Sequence, residues 1–312
     1  MSDPEATETF RARDEVVRGM VDRALRHFSG KPSLAEAWRS LVSTQDTIGI
    51  KVYSLPGPYS GTRPAVVAAV VEGLLAAGLP PKQIIIWDRE LSDLRAAGFL
   101  KLRDEYGVRV CGSADAGYDE KVFYDTALIG NLVAGDLEFG KKGRGIGRKS
   151  YVSKLVSGEI TKIIVVSPLL NHNQAGVSGI LYSLTLGSVD NCVRFESDPA
   201  RLATAVPEIY ALPILSDRVA VCIVDALICQ YEGNERGLLH YSAILNELRV
   251  SRDPVALDRL SLEELNRQRQ TVRAPAGYNN WQLYTNAALL ELGVNDLKKI
   301  QVEHLPEKEA GR

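Results

Sequence analysis

Apolar and polar positions along the chain follow two periods. From Asp14 to His27, residues Val16, Val17, Met20, Val21, Ala24 and Leu25 fall on one helical face. A second short helix fits Leu34 to Val42, after Lys31-Pro32. The period then changes. Residues 47–53 (Thr-Ile-Gly-Ile-Lys-Val-Tyr) predict a strand, and a loop rich in Pro and Gly follows to Gly61. Pro64 suits the first turn of a helix that Gly78 and Pro80-Pro81 end. The unbroken apolar run 83–87 predicts a strand buried on both faces, as in a parallel sheet. A helix over 91–106 and a short strand over 108–110 complete a strand–helix alternation that marks an open α/β sheet.

Residues 112–154 break the pattern. Gly, Asp, Tyr and Lys dominate there, and a loop of this length in a compact domain often serves a site or a lid. Regular spacing returns with strands over 161–167 and 218–225, helices over 175–186, 253–269 and 279–292, and a last strand over 299–304. A further helix ends within 207–212, and Asp253-Pro254 is a cap followed by a first-turn proline. No repeat or linker interrupts this order. The expected architecture is an N-terminal helical extension, residues 1–45, and a single α/β domain, residues 46–312. The domain is an open, mostly parallel sheet with helices on both faces.

Composition narrows the function. Apolar residues make up 45% of the 312 and charged residues 24%, values that exclude wholesale disorder. Lys and Arg number 37 against 39 Asp and Glu, so 37 − 39 gives −2 and argues against a nucleic-acid partner. The most apolar windows, 66–79 and 219–229, are interrupted by Glu72 and Asp225 and fall short of the roughly 20 residues a membrane span needs. The N-terminus has neither a basic start nor an apolar stretch, so it does not read as a secretion signal. As it stands the chain is expected to be cytoplasmic; an export leader removed from a longer precursor would leave no trace. Cys111, Cys192, Cys222 and Cys229 form no CxxC and no iron–sulfur motif. Cys222 and Cys229, seven apart on a strand, are expected on opposite faces with packing roles. No GxSxG elbow is present.

In open α/β sheets ligands bind outside the carboxyl ends of the strands. Four predicted strand ends therefore select Lys51, Arg63, Asp88, Arg89, Asn171, His172, Asn173 and Asp225. Lys51 stands inside an apolar run, where an ammonium needs a partner or a shifted pKa. A bland role stands beside each: a surface ion pair or cap for Asp88, a cap for Asp225, a solvated edge for Lys51. His172, bracketed by Asn171 and Asn173, is the sharpest candidate for a proton carrier or metal ligand. The remaining histidines show no metal-binding spacing.

Residues 140–149 carry five basic residues in ten positions. Neither the P-loop spacing nor the dinucleotide fingerprint is met, because Ile146 stands where Lys is required and no strand precedes the glycines. A mobile cationic lid over residues 135–154, bordering the strand-end pocket, is one expectation, and a solvated loop is the other.

The assembled motifs resemble the domain-of-unknown-function 362 (DUF362) family from about Val16 to about Leu265. They are residues 48–52 (Ile-Gly-Ile-Lys-Val), 57–64 (Gly-Pro-Tyr-Ser-Gly-Thr-Arg-Pro), 84–89 (Ile-Ile-Ile-Trp-Asp-Arg) and 171–177 (Asn-His-Asn-Gln-Ala-Gly-Val). Asp225-Ala226 and 253–258 (Asp-Pro-Val-Ala-Leu-Asp) complete the set. The resemblance implies an α/β fold and a bacterial or archaeal source, and it implies no settled reaction. Some relatives carry ferredoxin-type clusters or an export leader; this chain departs from both.

Two functions share these residue types. In one, Lys51, Arg63 and Arg89 hold a small anionic substrate. Asn171, Asn173 and Asp225 contribute to binding, and His172 moves a proton in isomerase, lyase or hydrolase chemistry. Asp88 or Asp225 orients the imidazole or holds a divalent metal. In the other, the same cluster captures an anion or metal without turnover, as an accessory protein. A homodimer is the default expectation for oligomeric state.

Overall fold

The computed structural model describes residues 1–305. After a small hairpin, Thr7–Glu8 with Arg11–Ala12, come helices α1 (Asp14–Ser29) and α2 (Leu34–Arg39). The first half of the sheet follows as β1 (Ile48–Val52), α3 (Pro64–Ala76), β2 (Ile84–Asp88), α4 (Leu91–Ala96), α5 (Leu100–Tyr106) and β3 (Arg109–Gly112). A separate antiparallel hairpin, β4 (Tyr118–Asp125) with β5 (Lys149–Ser153), interrupts the alternation. The second half comprises β6 (Lys162–His172), β7 (Gly176–Val177), α6 (Ile180–Ser188), α7 (Pro199–Tyr210), β8 (Val219–Gln230), β9 (Ser242–Ser251), α8 (Pro254–Thr271) and α9 (Trp281–Leu289).

The main sheet runs β9-β8-β6-β1-β2-β3, parallel along this order except that β9 pairs antiparallel with β8 at one edge, and the short β7 adds antiparallel to the end of β6. The chain winds outward from β1 through β2 to β3, then returns to β6 on the other side of β1. The order therefore reverses between β1 and β6, and doubly wound sheets bind ligands at such a point. Period-two alternation separates two cores. Ile84 and Ile86 face one with Val66, Val70 and α1 residues Val17 and Met20. Ile85 and Trp87 face the other with α6, α7 and α8. Each fully buried Ile or Val contributes roughly 1.5–3 kcal/mol relative to exposure.

Several sequence expectations change here. The helix expected over 91–106 is two helices, because Gly98 adopts φ +92 between them. The 112–154 stretch contains the β4–β5 hairpin; β4 shows mixed burial and hence a weak pattern, while β5 is short and mostly buried. β9 is an unforeseen strand, and its polar edge position explains the faint signal. Residues 299–304 form turn and irregular structure, not a strand. β8 extends five residues beyond the expected end at Asp225, through a register shift between Asp225 and Cys229. That shift resets the alternation, so Cys222 and Cys229 lie in the same core rather than on opposite faces.

Candidate functional site

β1 points Ile48, Ile50 and Val52 into one core, so Lys51 is directed at the other, beneath α6. Its ammonium is fully buried and donates to Asp88 Oδ1 at 2.8 Å, Ser183 Oγ at 3.2 Å and the Val52 carbonyl at 2.5 Å. Burial pushes the Lys51 pKa down, against the opposing pull of Asp88. Gly187 makes this placement possible: a Cβ there would stand 2.0 Å from Lys51 Cε. Asp88, at the end of β2, also accepts from Ser54 N and Ser54 Oγ at 2.7 Å each and from Arg89 N at 2.8 Å.

Asp88 forms part of the floor of a cleft of about 210 Å³ at the switch point. Tyr53, Arg89, Asp93, Glu196 and Glu235 line it, together with Tyr182 and Ser183 from the first turn of α6. Lys51 is behind Asp88 and does not line the cleft. Arg89 faces Glu196 at 3.5 Å and Glu90 at 3.8 Å, distances that leave its guanidinium loosely held. Burial, with Asp88, Glu90 and Glu235 nearby, pushes the Asp93 carboxyl up to about 6. A wider mouth of about 590 Å³, lined by Leu55, Asn173, Asn234 and Arg236, shares Glu235 with the cleft.

His172 ends β6 and is buried against Tyr182, with ring centroids 4.2 Å apart. Its Nδ1 accepts from the backbone N–H of Ala175 at 3.0 Å and of Gln174 at 3.3 Å. Amides can only donate, so the neutral ring carries its proton on Nε2, 3.8 Å from Glu235 Oε1. Burial lowers the His172 pKa from 6.5 to about 4, and a proton on Nδ1 would also meet two amide donors. The ring is thus a neutral hydrogen-bond donor at pH 7. The turn 173–175 fixes it, not the flanking amide side chains. Asn171 accepts from Asn234 N at 3.0 Å, and Asn173 N donates to Asn234 Oδ1 at 2.8 Å. Both asparagines hold the 231–238 loop that carries Glu235.

Glu235 Oε1 accepts from Tyr53 Oη at 2.5 Å. Burial first, then Tyr182 and Glu235, push the Tyr53 hydroxyl well above its usual range, which keeps it a donor. The Tyr182 side chain is buried and lines the cleft, yet its hydroxyl has no hydrogen-bond partner among the described residues. Tyr53, Ser54, Tyr182, Ser183, Asp93, Glu196 and Glu235 were not among the sequence candidates. Ser54 stands one residue past Tyr53 at the predicted strand end, and that position was the available signal. Glu235 lies in a Gly-Asn-Glu-Arg-Gly turn with no periodicity to mark it.

Arg63 and Asp225 form a second buried pair away from the cleft lining. Arg63 Nη1 donates to Asp225 Oδ1 at 2.8 Å and its backbone N–H to Oδ2 at 2.9 Å, while Nη2 donates to the Tyr59 carbonyl. Thr62 Oγ1 accepts from Tyr53 N and donates to the Val166 carbonyl. The 57–64 motif therefore stitches the ends of β1, β6 and β8 together. In the 253–258 motif, Asp253 caps its own helix through Ala256 N, and Asp258 accepts from Ile180 N and Leu181 N at the start of α6. Residues 135–154 do not line the cleft; they pack outside the 190–194 segment. Among the described residues, no cluster of three or more His, Cys, Asp or Glu is arranged to hold a metal ion, and no helix is long and apolar enough to cross a membrane.

A six-strand order that reverses beside a cleft of strand-end side chains defines a doubly wound α/β protein with one polar cleft at its switch point. The profile of the family described as Domain of unknown function (DUF362) matches residues 48–263, and the chain belongs to that family. No curated protein matches it. A crystal structure of a Thermotoga maritima protein is similar at 12% identity and a TM-score of 0.47, covering 87% of this chain. The chain spans 62% of the length of that protein.

Proposed function

We infer that the chain is an enzyme that moves a proton on a small substrate in the 210 Å³ cleft, in chemistry of the isomerase, lyase or hydrolase kind. The observation that carries this reading is Glu235. Its Oε1 is held by Tyr53 at 2.5 Å, its Oε2 has no donor among the described residues, and the His172 Nε2 faces it at 3.8 Å. Glu235 takes the proton. The unpartnered Tyr182 hydroxyl donates to the substrate oxygen on which charge develops, and neutral His172, outside the cleft lining, supports Tyr182 and turns its Nε2–H toward Glu235.

The pairing of Lys51 with Asp88 and of Arg63 with Asp225 narrows the anion expected from sequence. Arg89 is the cation that lines the cleft, and it accommodates one carboxylate. The substrate class that fits is a small hydroxy- or oxo-carboxylate. Lys51 acts through Asp88 as a positioning residue.

Incubation with a panel of such acids in deuterated water, read by NMR, tests this. Wild-type protein exchanges a carbon-bound proton, and Glu235→Gln slows exchange roughly 10²–10⁴-fold with its melting temperature maintained. Exchange that survives in Glu235→Gln would sink the assignment. Binding without exchange would favour the accessory-protein reading.

A further inference from the structure

The β4–β5 connection, residues 126–148, has its polarity reversed. Its two carboxylates point inward. Asp136 accepts from Asn191 N and Val133 N at 2.8 Å each, and Glu138 accepts from Gly147 N and Tyr151 Oη at 2.8 Å each. Both side chains are buried. Asp190 accepts from Leu137 N at 2.8 Å, and Asn191 Nδ2 donates to the Gly147 and Lys149 carbonyls at 2.9 Å. The loop is therefore anchored by buried hydrogen bonds, with the Asn191 Oδ1 the one named atom left without a donor among the described residues. Three large apolar residues are left outside, Ile129 at 64% exposed, Phe139 at 55% and Val133 at 39%, while Leu128, Leu132, Leu137 and Ile146 are half-buried.

Three cations share this outer surface. Lys141, Lys142 and Arg144 are exposed and enter no ion pair among the described residues. Arg148 differs, being paired with Asp125 at 3.2 Å, and Lys149 lies over the Phe123 ring at 3.7 Å. With Asp136 and Glu138 turned inward, residues 126–148 present no carboxylate to solvent. Loops of folded proteins ordinarily turn their apolar side chains in and their acids out.

We propose that this loop docks the protein on an anionic lipid surface. Phe139, Val133 and Ile129 enter the headgroup region, and Lys141, Lys142 and Arg144 contact the lipid charges. The combination selects this partner. Cations alone would suit any polyanion, but aliphatic Ile129 and Val133 find no counterpart in nucleic acid, where bases stack on aromatic rings. A surface of uniformly negative headgroups over hydrocarbon complements both features at once. No membrane-crossing helix is needed for such binding. The Asp190–Asn191 anchor lies five residues before Glu196, which lines the cleft.

Sedimentation of the full chain with vesicles tests the proposal. Vesicles of phosphatidylcholine containing about 30% phosphatidylserine bind the protein, and pure phosphatidylcholine binds it far less. Raising salt from about 0.05 M to about 0.5 M weakens binding. Lys141→Gln with Lys142→Gln lowers affinity roughly 25-fold, at about fivefold per charge. Phe139→Ser lowers it at least about fivefold through lost apolar burial. These side chains are exposed, so the melting temperature of the variants stays that of wild type. Leu289→Ser, at a side chain 76% exposed on α9, is the control and leaves binding unchanged. Absence of binding to the phosphatidylserine vesicles overturns the proposal, whatever other polyanion the protein takes up. So does binding that the Lys141/Lys142 and Phe139 variants leave intact, or an equal loss in Leu289→Ser.

Discussion

Two buried ion pairs flank the carboxyl end of β1, Lys51–Asp88 at the ends of β1 and β2 and Arg63–Asp225 against the middle of β8, and they are built for different ends. Arg63–Asp225 is closed. Every oxygen of Asp225 is taken by Arg63, and Asp225 is fully buried. Lys51–Asp88 is open on one side. Lys51 is equally buried, but Asp88 reaches the cleft and shares its charge among Ser54, Arg89 and Lys51. Both pairs occupy the places where a doubly wound sheet gathers polar residues. A strand-end charge is thus a stitch or a site according to what its partner's far side meets: protein in the first case, open space in the second.

The largest effect tests the closed pair. Arg63→Met leaves the buried Asp225 carboxyl with only the backbone N–H groups of residues 63 and 227 for donors. Breaking one side of a buried pair costs about 3–5 kcal/mol. At this chain length that lowers the melting temperature by roughly 5–8 °C. Replacing both partners, Arg63→Met with Asp225→Leu, recovers most of the loss, because no unpaired charge remains. Calorimetry on both variants checks this. A single variant as stable as wild type would show that Arg63–Asp225 is no stitch.

Acid sharpens the comparison next, because His172, packed against Tyr182 behind the cleft lining, is held neutral. The folded pKa of His172, about 4, lies below the unfolded value of 6.5. The unfolded chain therefore binds the extra proton between those values. Stability is complete above pH 6.5 and is lost as pH falls toward 4. The shift corresponds to about 3 kcal/mol. Urea denaturation across that window should find His172→Gln losing about 3 kcal/mol less than wild type. Parallel curves for the two proteins would mean that the imidazole is not held neutral.

Much of the frame was legible because both faces of the sheet are covered. β1, β2, β6 and β8 read as apolar runs, and α1 shows its inner face in Val17, Met20, Val21 and Leu25. The extensions of β6 and β8 were hidden by Pro168 and Asp225, which ordinarily mark strand ends. β1 ends its pairing at Val166, so Pro168 lies past it and interrupts no ladder on that side. The cleft was half legible. Lys51, Asp88, Arg89 and His172 stand beside recognisable strands. Glu235 and Tyr182 reach the same cleft from a turn and a helix far along the chain, and strand-end reasoning has no term for them. Charge was the least legible property, since Arg63 and Asp225 are 162 residues apart and their pairing leaves no local pattern.

The smallest effect decides whether the open pair is open in energy as well as in geometry. Lys51→Met keeps an unbranched side chain of similar length beneath α6, so packing against Gly187 changes little. It removes the charge opposite Asp88, as Arg63→Met does opposite Asp225. Asp88, though, keeps Ser54 N, Ser54 Oγ and Arg89 N, all within 2.8 Å, and lines the open cleft. Its desolvation is partial, so an unpaired carboxylate there costs less. The expected loss is about 2 kcal/mol, mostly the unmet Val52 carbonyl and Ser183 hydroxyl and the weakened hold on Asp88. Because Asp88 shapes the cleft floor, the same variant should lower turnover or affinity for a cleft ligand by more than its stability loss explains. Arg63→Met, measured while still folded, should not. Equal stability losses in Lys51→Met and Arg63→Met would show that the cleft gives Asp88 no relief. The difference between the two pairs would then be one of position alone.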